Sequence, residues 1–169
     1  MPRILPVTSA HFPVIQQIAT TTWYPTYGHI LTQAQTDYML EWMYGIDSLK
    51  EQVEEKGIIF MMIQNDGATE NEFAGFTAYE FDYEGRPKTR IHKLYVLPEM
   101  HGQGFGKQML DFIASEAVAH QNTGLHLNVN RFNKAISFYQ KYGFEITGEE
   151  DIDIGQGYLM EDYIMEKGV

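Results

Sequence analysis

The stretch Leu94-Tyr95-Val96-Leu97-Pro98-Glu99-Met100-His101-Gly102-Gln103-Gly104-Phe105-Gly106-Lys107 decides how the rest of the chain is read. Leu94-Tyr95-Val96 closes a strand-like run that begins at Thr89, and Pro98 ends it, because proline has no amide to continue a ladder. Glycines at 102, 104 and 106 then lead into Phe105, Met109, Phe112, Ile113 and Ala117, which share one helical face. Glycines between a strand and a helix let backbone amides approach a ligand without a Cβ in the way, and the helix N-terminus favours an anion there. The spacing excludes two common anion loops. A Walker loop needs Gly, four residues, then Gly-Lys-Ser/Thr; five residues before Gly106 stands His101, and Lys107 is followed by Gln108. A Rossmann fingerprint needs Gly-x-Gly-x-x-Gly and an acidic residue at the end of the next strand. Here Gly102-x-Gly104 is followed by Lys107, Gly104-x-Gly106 by Met109, and the next strand ends Asn128-Val129-Asn130.

Upstream, Ile58 to Gln64 and Glu72 to Tyr83 are rich in β-branched and aromatic residues and flank Asn65-Asp66-Gly67-Ala68, so they read as an antiparallel hairpin. Gly85-Arg86-Pro87 turns the chain into the strand Thr89 to Val96. Residues 2 to 7, with two prolines, read as an edge strand. Thr8 or Ser9 caps a helix carrying Phe12, Ile15, Ile18 and Ala19, which Pro25 and Gly28 break. Thr32 with Gln35 forms a capping box ahead of Met39, Leu40, Trp42, Met43 and Ile46. Gly45 marks a bend, after which Ile46, Leu49 and Val53 form a stripe, Lys50 and Glu54 face water, and Gly57 closes the helix. Downstream come a strand from Leu125 to Asn130, a helix from Asn133 to Tyr142 closed by Gly143, and a hairpin of about 144–153 and 158–166 around Gly155-Gln156-Gly157. Neither repeat nor linker interrupts this order, so residues 1–169 read as one mixed α/β domain.

The 169 residues, 44% hydrophobic and 21% charged, suffice for a sizeable core. The longest apolar run, Ile58 to Ile63, is too short to span a bilayer, and no apolar leader precedes the first strand, so no membrane association and a cytoplasmic location are expected. The absence of cysteine excludes disulfides, thiolate metal sites and a cysteine-linked intermediate. Twelve Lys plus Arg against 23 Asp plus Glu give a net charge of -11, which repels nucleic acid and suits a cationic partner. His11, His29, His120 and His126 show no metal-ligand spacing, and no metal is expected.

The glycine loop resembles the acetyl-CoA loop of the GCN5-related N-acetyltransferase (GNAT) superfamily, a strand and a Pro followed by Arg/Gln-x-x-Gly-x-Gly/Ala. Asn133-Lys134-Ala135-Ile136-Ser137-Phe138-Tyr139-Gln140-Lys141-Tyr142-Gly143-Phe144 is similar to the same family's second signature, and follows at the right distance. Thr22-Trp23-Tyr24-Pro25-Thr26-Tyr27, Leu49-Lys50-Glu51-Gln52 and Asp162-Tyr163-Ile164-Met165-Glu166-Lys167 resemble the branch that acetylates spermidine and spermine. The resemblance implies an α/β (α+β) fold: a mixed sheet of about six or seven strands, splayed at its centre and flanked by about four helices. It implies acetyl-CoA as cofactor and a small-molecule amine, such as spermidine, as acceptor. Acetylation of a protein N-terminus, a lysine or an antibiotic amine, and a non-catalytic acyl-CoA-binding regulator, are the rival readings. Homodimers through the final strands are implied as well. Without cysteine, transfer is expected by direct attack of a bound primary amine.

In this resemblance Leu94, Tyr95 and Val96 offer backbone groups to the pantetheine arm. The amides of Gly102, Gln103, Gly104, Phe105, Gly106 and Lys107 cradle the pyrophosphate, with Lys107 either touching phosphate or simply solvated. His101 stands where the family has Arg or Gln and can still donate. Tyr139 is the expected general acid toward the CoA thiolate, against the alternative of a packed aromatic. Asn133 either bonds the cofactor or caps its helix; it lies six residues before Tyr139 where seven is usual, so Asn130 could substitute. The position where many relatives carry a basic Glu is Asn128. His92 is the preferred base, expected to share a strand face with Leu94 and Val96 at an ordinary pKa near ~6.5, with Glu80, Asp82 or a water chain as alternatives. Trp23, Tyr24, Tyr27, Tyr38, Trp42 and Tyr44 are expected as packing that partly walls the acceptor site, and Asp37 with Glu41 as a pair facing a distal ammonium or just water.

Overall fold

The computed structural model describes residues 2–70 and 72–169. Seven strands form one mixed sheet in the order β1-β2-β3-β4-β5-β7-β6: β1 (Arg3–Pro6), β2 (Ile59–Gln64), β3 (Gly75–Glu80), β4 (Lys88–Val96), β5 (Gly124–Asn130), β6 (Glu145–Gly155) and β7 (Tyr158–Gly168). The helices are α1 (Phe12–Tyr27), α2 (Gln33–Tyr44), α3 (Ile46–Lys50), α4 (Phe105–Ala119) and α5 (Ala135–Tyr142), with α3 running into a π-helical turn over Glu51–Glu55. Among the described residues no helix is long and apolar enough to cross a membrane.

Local chemistry accounts for most boundaries. Thr32 Oγ1 accepts the Gln35 amide at 3.2 Å and starts α2, and Gly143 ends α5 at φ 117°, where a side chain would be strained. Pro25 does not break α1 as expected, because in the last turn it costs one hydrogen bond to the carbonyl four residues back; the helix ends at Gly28 instead. β3 begins at Gly75 rather than Glu72. The Gln64 side-chain amide donates to the carbonyls of Thr69 and Glu70, and the Thr69 amide donates to Glu72, which curls this part of the connection away from the ladder. At Gly75 a Cβ would lie 2.2 Å from the Tyr95 carbonyl oxygen, so only glycine lets β3 and β4 close up there.

The two faces of the sheet bury separate cores. Phe12, Ile15 and Trp23 of α1 with Met39 and Tyr44 of α2 pack on Phe60 and Phe76. On the other face Leu110 and Ile113 of α4 and Tyr139 of α5 pack on Leu125, Leu127 and Met165. Each fully buried aliphatic side chain here contributes about 1.5–3 kcal/mol.

Two irregularities position the site. Ala78 lies opposite Lys93 and Tyr79 opposite Ile91, so His92 has no partner across the ladder. The bulge resets the alternation: Ile91 and Leu94 both pack toward α4, whereas Lys93 and Tyr95 face α1 and α2. His92 therefore does not alternate on one face with Leu94 and Val96, contrary to the simple strand pattern. The second irregularity is the splay. β4 and β5 pair in parallel from Lys88↔Gly124 to Ile91↔Leu127 and then part, although β4 continues to Val96 and β5 to Asn130. Beyond Ile91 the β5-facing backbone edge of β4 has no strand on it.

Candidate active site

A cleft of ≈1300 Å³ follows this gap, from the glycine loop past Leu94–Val96 to Asn128, Tyr139 and Asp162, and Trp23, Tyr27 and Met39 line it too. Its loop end is built from backbone. Gly102 and Gly104 adopt φ of 80° and 84°, conformations in which a side chain is strained, and Gly104 is the N-cap of α4. The first helical amide bond runs from Gln108 to the Gly104 carbonyl, which leaves the amides of Phe105, Gly106 and Lys107 without helical partners. The Phe105 ring is buried with Ala74 and Met109 and fixes the start of the helix. A Cβ on Gly106 would meet the Phe138 ring at 3.0 Å, so α5 presses on the same turn. Of the expected phosphate-side residues, His101, Gly102, Gly104, Phe105, Gly106 and Lys107 line the cleft, whereas Gln103 does not and its side chain lies on Met100 Sδ at 3.8 Å. His101 Nε2 bonds the Val96 carbonyl at 2.8 Å and fastens the loop to the end of β4. Lys107 is exposed and paired with Asp111 at 2.9 Å.

At the other end the groups are buried side chains. Tyr139 is 8% exposed, and burial alone raises its phenol well above the usual range. Burial also raises Tyr27 and Tyr95, and the neighbouring Tyr139 adds to both, so three phenols converge on the wall of the cleft. Asn133 serves both α5 and this group: its Oδ1 accepts the Ala135 amide at 2.8 Å, and its Nδ2 donates to the Tyr27 hydroxyl at 3.2 Å. Asn133 thus stands one residue ahead of the N-cap Lys134 and satisfies the first helical amide of α5 from there. Asn130 accepts the Phe132 amide at 2.9 Å.

The expected bases separate. His92 and Glu80 are hydrogen-bonded at 2.8 Å and both line the cleft. Burial, then Arg90, Lys93, His126 and Lys56, push the imidazole down to about 3 rather than leaving it near its ordinary value, so it is a weak base at neutral pH. Asp82 is elsewhere: its carboxylate accepts the Asn122 amide at 2.8 Å and faces His120, and it does not line the cleft. Asp37 accepts the Tyr24 hydroxyl, and neither Asp37 nor Glu41 lines the cleft. Of the aromatic group, Trp23, Tyr27 and Trp42 do.

Two buried charges escaped the sequence reading. Lys93 donates to Gln52 Oε1 at 2.6 Å between the rings of Tyr44 and Phe60, and burial, helped by Arg90 and Lys56, pushes it down to about 7. Asp162, 2% exposed, faces the cleft from β7, and Asn128 Nδ2 lies 3.4 Å from its Oδ2. The signal available for Asp162 was strand alternation: Tyr163 and Met165 pack toward α4, so Asp162 must point the other way. Asn128 also accepts from Arg90 at 3.2 Å and donates to Glu150 at 3.0 Å.

Comparison with known proteins matches residues 55–146 to a family model described as an acetyltransferase (GNAT) domain. The peptidyl-lysine N-acetyltransferase YjaB of Salmonella typhimurium is 37% identical over 73 residues, 42% of this chain and 47% of that protein, so the match spans about half of that relative. The PaiA N-acetyltransferase of Thermoplasma acidophilum, solved in complex with coenzyme A, superposes with a TM-score of 0.81 at 24% identity, over 100% of this chain and 99% of that one. A GCN5-related N-acetyltransferase of Rhodopseudomonas palustris gives 0.82 at 17% identity, over 100% and 96%. At these identities both structures attest the fold alone, and the seven-stranded mixed sheet of this chain falls within the six or seven strands that the resemblance implied.

Proposed function

The chain belongs to the GNAT acetyltransferase family, and from that premise we propose that it is an acetyl-CoA-dependent enzyme that transfers acetyl directly to a bound primary amine. The observation that carries this reading is the unpaired β4 edge beyond Ile91, which runs from the glycine loop to Tyr139. The residues fit the cofactor. The free amides of Phe105, Gly106 and Lys107 at the N-terminus of α4 suit a pyrophosphate, and the exposed backbone of Leu94–Val96 suits an amide-bearing arm. Acetyl-CoA, when bound, supplies a thioester activated toward amines. His101 holds the loop against Val96, and burial keeps the Tyr139 hydroxyl protonated on the cleft, where it is placed to donate toward a departing thiolate. With no cysteine in the chain, direct attack needs both substrates bound together.

For the acceptor, the chemistry points to an alkyl ammonium. Asp162 of β7 lines the cleft, and Glu150 of β6 meets Asn128 beside it, whereas Glu149, Asp151 and Glu161 are paired with Arg131; the chain as a whole carries a net charge of -11. A small polyamine such as spermidine is the first acceptor to test. A lysine side chain is the second, favoured by the likeness to a peptidyl-lysine acetyltransferase. CoA release measured over spermidine, spermine, lysine peptides, peptide N-termini and an aminoglycoside distinguishes them. Turnover highest with spermidine is the expected result. Turnover with lysine peptides alone would replace the polyamine, and tight acetyl-CoA binding without transfer to any amine would make the protein a non-catalytic regulator.

A further inference from the structure

We propose that Asp162 is the group that receives the acceptor ammonium and takes its proton. This inference rests on the acetyltransferase reading above and names the base of that same site. Asp162 lies in β7 opposite Asn130 of β5, so its side chain stands beside the β5 edge of the splay, at 2% exposure. Its carboxylate has no cation within 4.0 Å among the described residues; the Arg131 guanidinium donates through Nη1 to the Asp162 backbone carbonyl at 3.3 Å and through Nη2 to Asp151 at 2.7 Å. Asp162 Oδ2 lies 3.4 Å from Asn128 Nδ2, a neutral donor. A buried carboxylate without a counter-ion is costly, and a substrate ammonium is the partner that would relieve the cost.

The position is right for the chemistry. Asp162 and Tyr139 each add to the raised pKa of Tyr27, so carboxylate and candidate acid both lie near one phenol of the cleft. The groups facing Asp162 are Asn128 of β5, Arg90 of β4, Glu150 of β6, Arg131 of the β5–α5 loop and Tyr27 of α1. Burial, the largest influence, and Glu150 raise its pKa, while Asn128, Arg90 and Arg131 oppose the rise without cancelling it. A raised carboxylate is a better match to an ammonium than one in its ordinary range, and a better match than His92. In the transfer the acceptor nitrogen bonds to the acetyl carbonyl carbon and the carbon–sulfur bond breaks. Of the two protons that the nitrogen sheds, the first goes to Asp162 and then to water. The second ends on the sulfur through the Tyr139 hydroxyl, which gives one proton and regains one.

The test is the pH profile of kcat/KM for wild type and Asp162→Asn, with acetyl-CoA binding and thermal stability measured alongside. Wild type should show an acid limb above the ordinary carboxylate range. The variant should lose that limb, fall on the order of 10²-fold at neutral pH and recover as alkaline pH deprotonates the amine. Its acetyl-CoA Kd should be unchanged, and its Tm equal or higher, because a merely structural carboxylate would leave a less stable protein behind. A variant with the wild-type profile overturns the assignment. If it does not fold, carboxyl-carbon NMR of wild type decides: a raised Asp162 titration that shifts on adding spermidine supports the role, and an ordinary titration indifferent to spermidine removes it. Wild type that binds acetyl-CoA but acetylates no amine overturns the acetyltransferase reading itself, and the base with it.

Discussion

The two ends of the cleft are made differently. At the glycine loop the recognition groups are backbone amides, held by Gly102 and Gly104 at positive φ and by a helix start locked through Phe105. At the acceptor end they are side chains taken out of water, Tyr139 of α5, His92 and Lys93 of β4 and Asp162 of β7, contributed by three segments, and burial moves their pKa values in both directions. Backbone recognition is insensitive to pH and tolerant of side-chain change. A buried charged site stores unfavourable energy that a substrate of the right charge can release, and it is correspondingly sensitive to single atoms.

Mutations can break that contrast. The largest effect is expected at the acceptor end: Tyr139→Phe should lower kcat about 10²-fold with the acetyl-CoA KM unchanged, because only the hydroxyl leaves a packed ring. Steady-state kinetics in both substrates checks it. At the loop end Gly104→Ala forces a Cβ into φ 84° at a cost of about 1–2 kcal/mol, so calorimetry should show roughly tenfold weaker acetyl-CoA binding, with kcat at saturation retained. If Tyr139→Phe moved the cofactor KM and Gly104→Ala moved kcat, the division between the ends would be wrong.

Lys93 offers a smaller effect. Its folded pKa of about 7 lies below the unfolded value of 10.5, so between these pH values the unfolded chain binds more protons and stability should rise with pH. Urea denaturation at pH 7 and pH 9 should show a rise in wild type on the order of a kcal/mol or more. Lys93→Met should remove that rise and be at least as stable at pH 7. The smallest effect belongs to Lys107. Its exposed pair with Asp111 is worth about 0.3–0.5 kcal/mol, so Lys107→Ala should barely change Tm, and a change in acetyl-CoA Kd that shrinks at high salt would show that the ammonium leaves Asp111 for phosphate.

What the sequence disclosed follows the same division. The loop, the helix after it and the Tyr139 register were legible because they depend on local spacing: glycines where φ is positive, a proline at the end of a strand, a glycine closing α5. The acceptor end was not, because it depends on register between distant segments. One bulged residue moved His92 out of phase with Leu94 and brought Lys93 against Gln52, and a bulge has no composition of its own in His92-Lys93. Asp162 gains its meaning from lying across from Asn130, 32 positions away. Asp82 looked like a neighbour of Glu80 along the chain, but the turn that follows β3 carries it to Asn122.

The central claim, amine acetylation with both substrates held across the β4–β5 gap, is tested most directly by initial rates. Acetyl-CoA and the best amine are varied together while acetylated amine and free CoA are quantified by mass spectrometry. The account predicts intersecting reciprocal plots and one acetylated amine per CoA released. Parallel plots, or CoA release without acetylated amine, would contradict it.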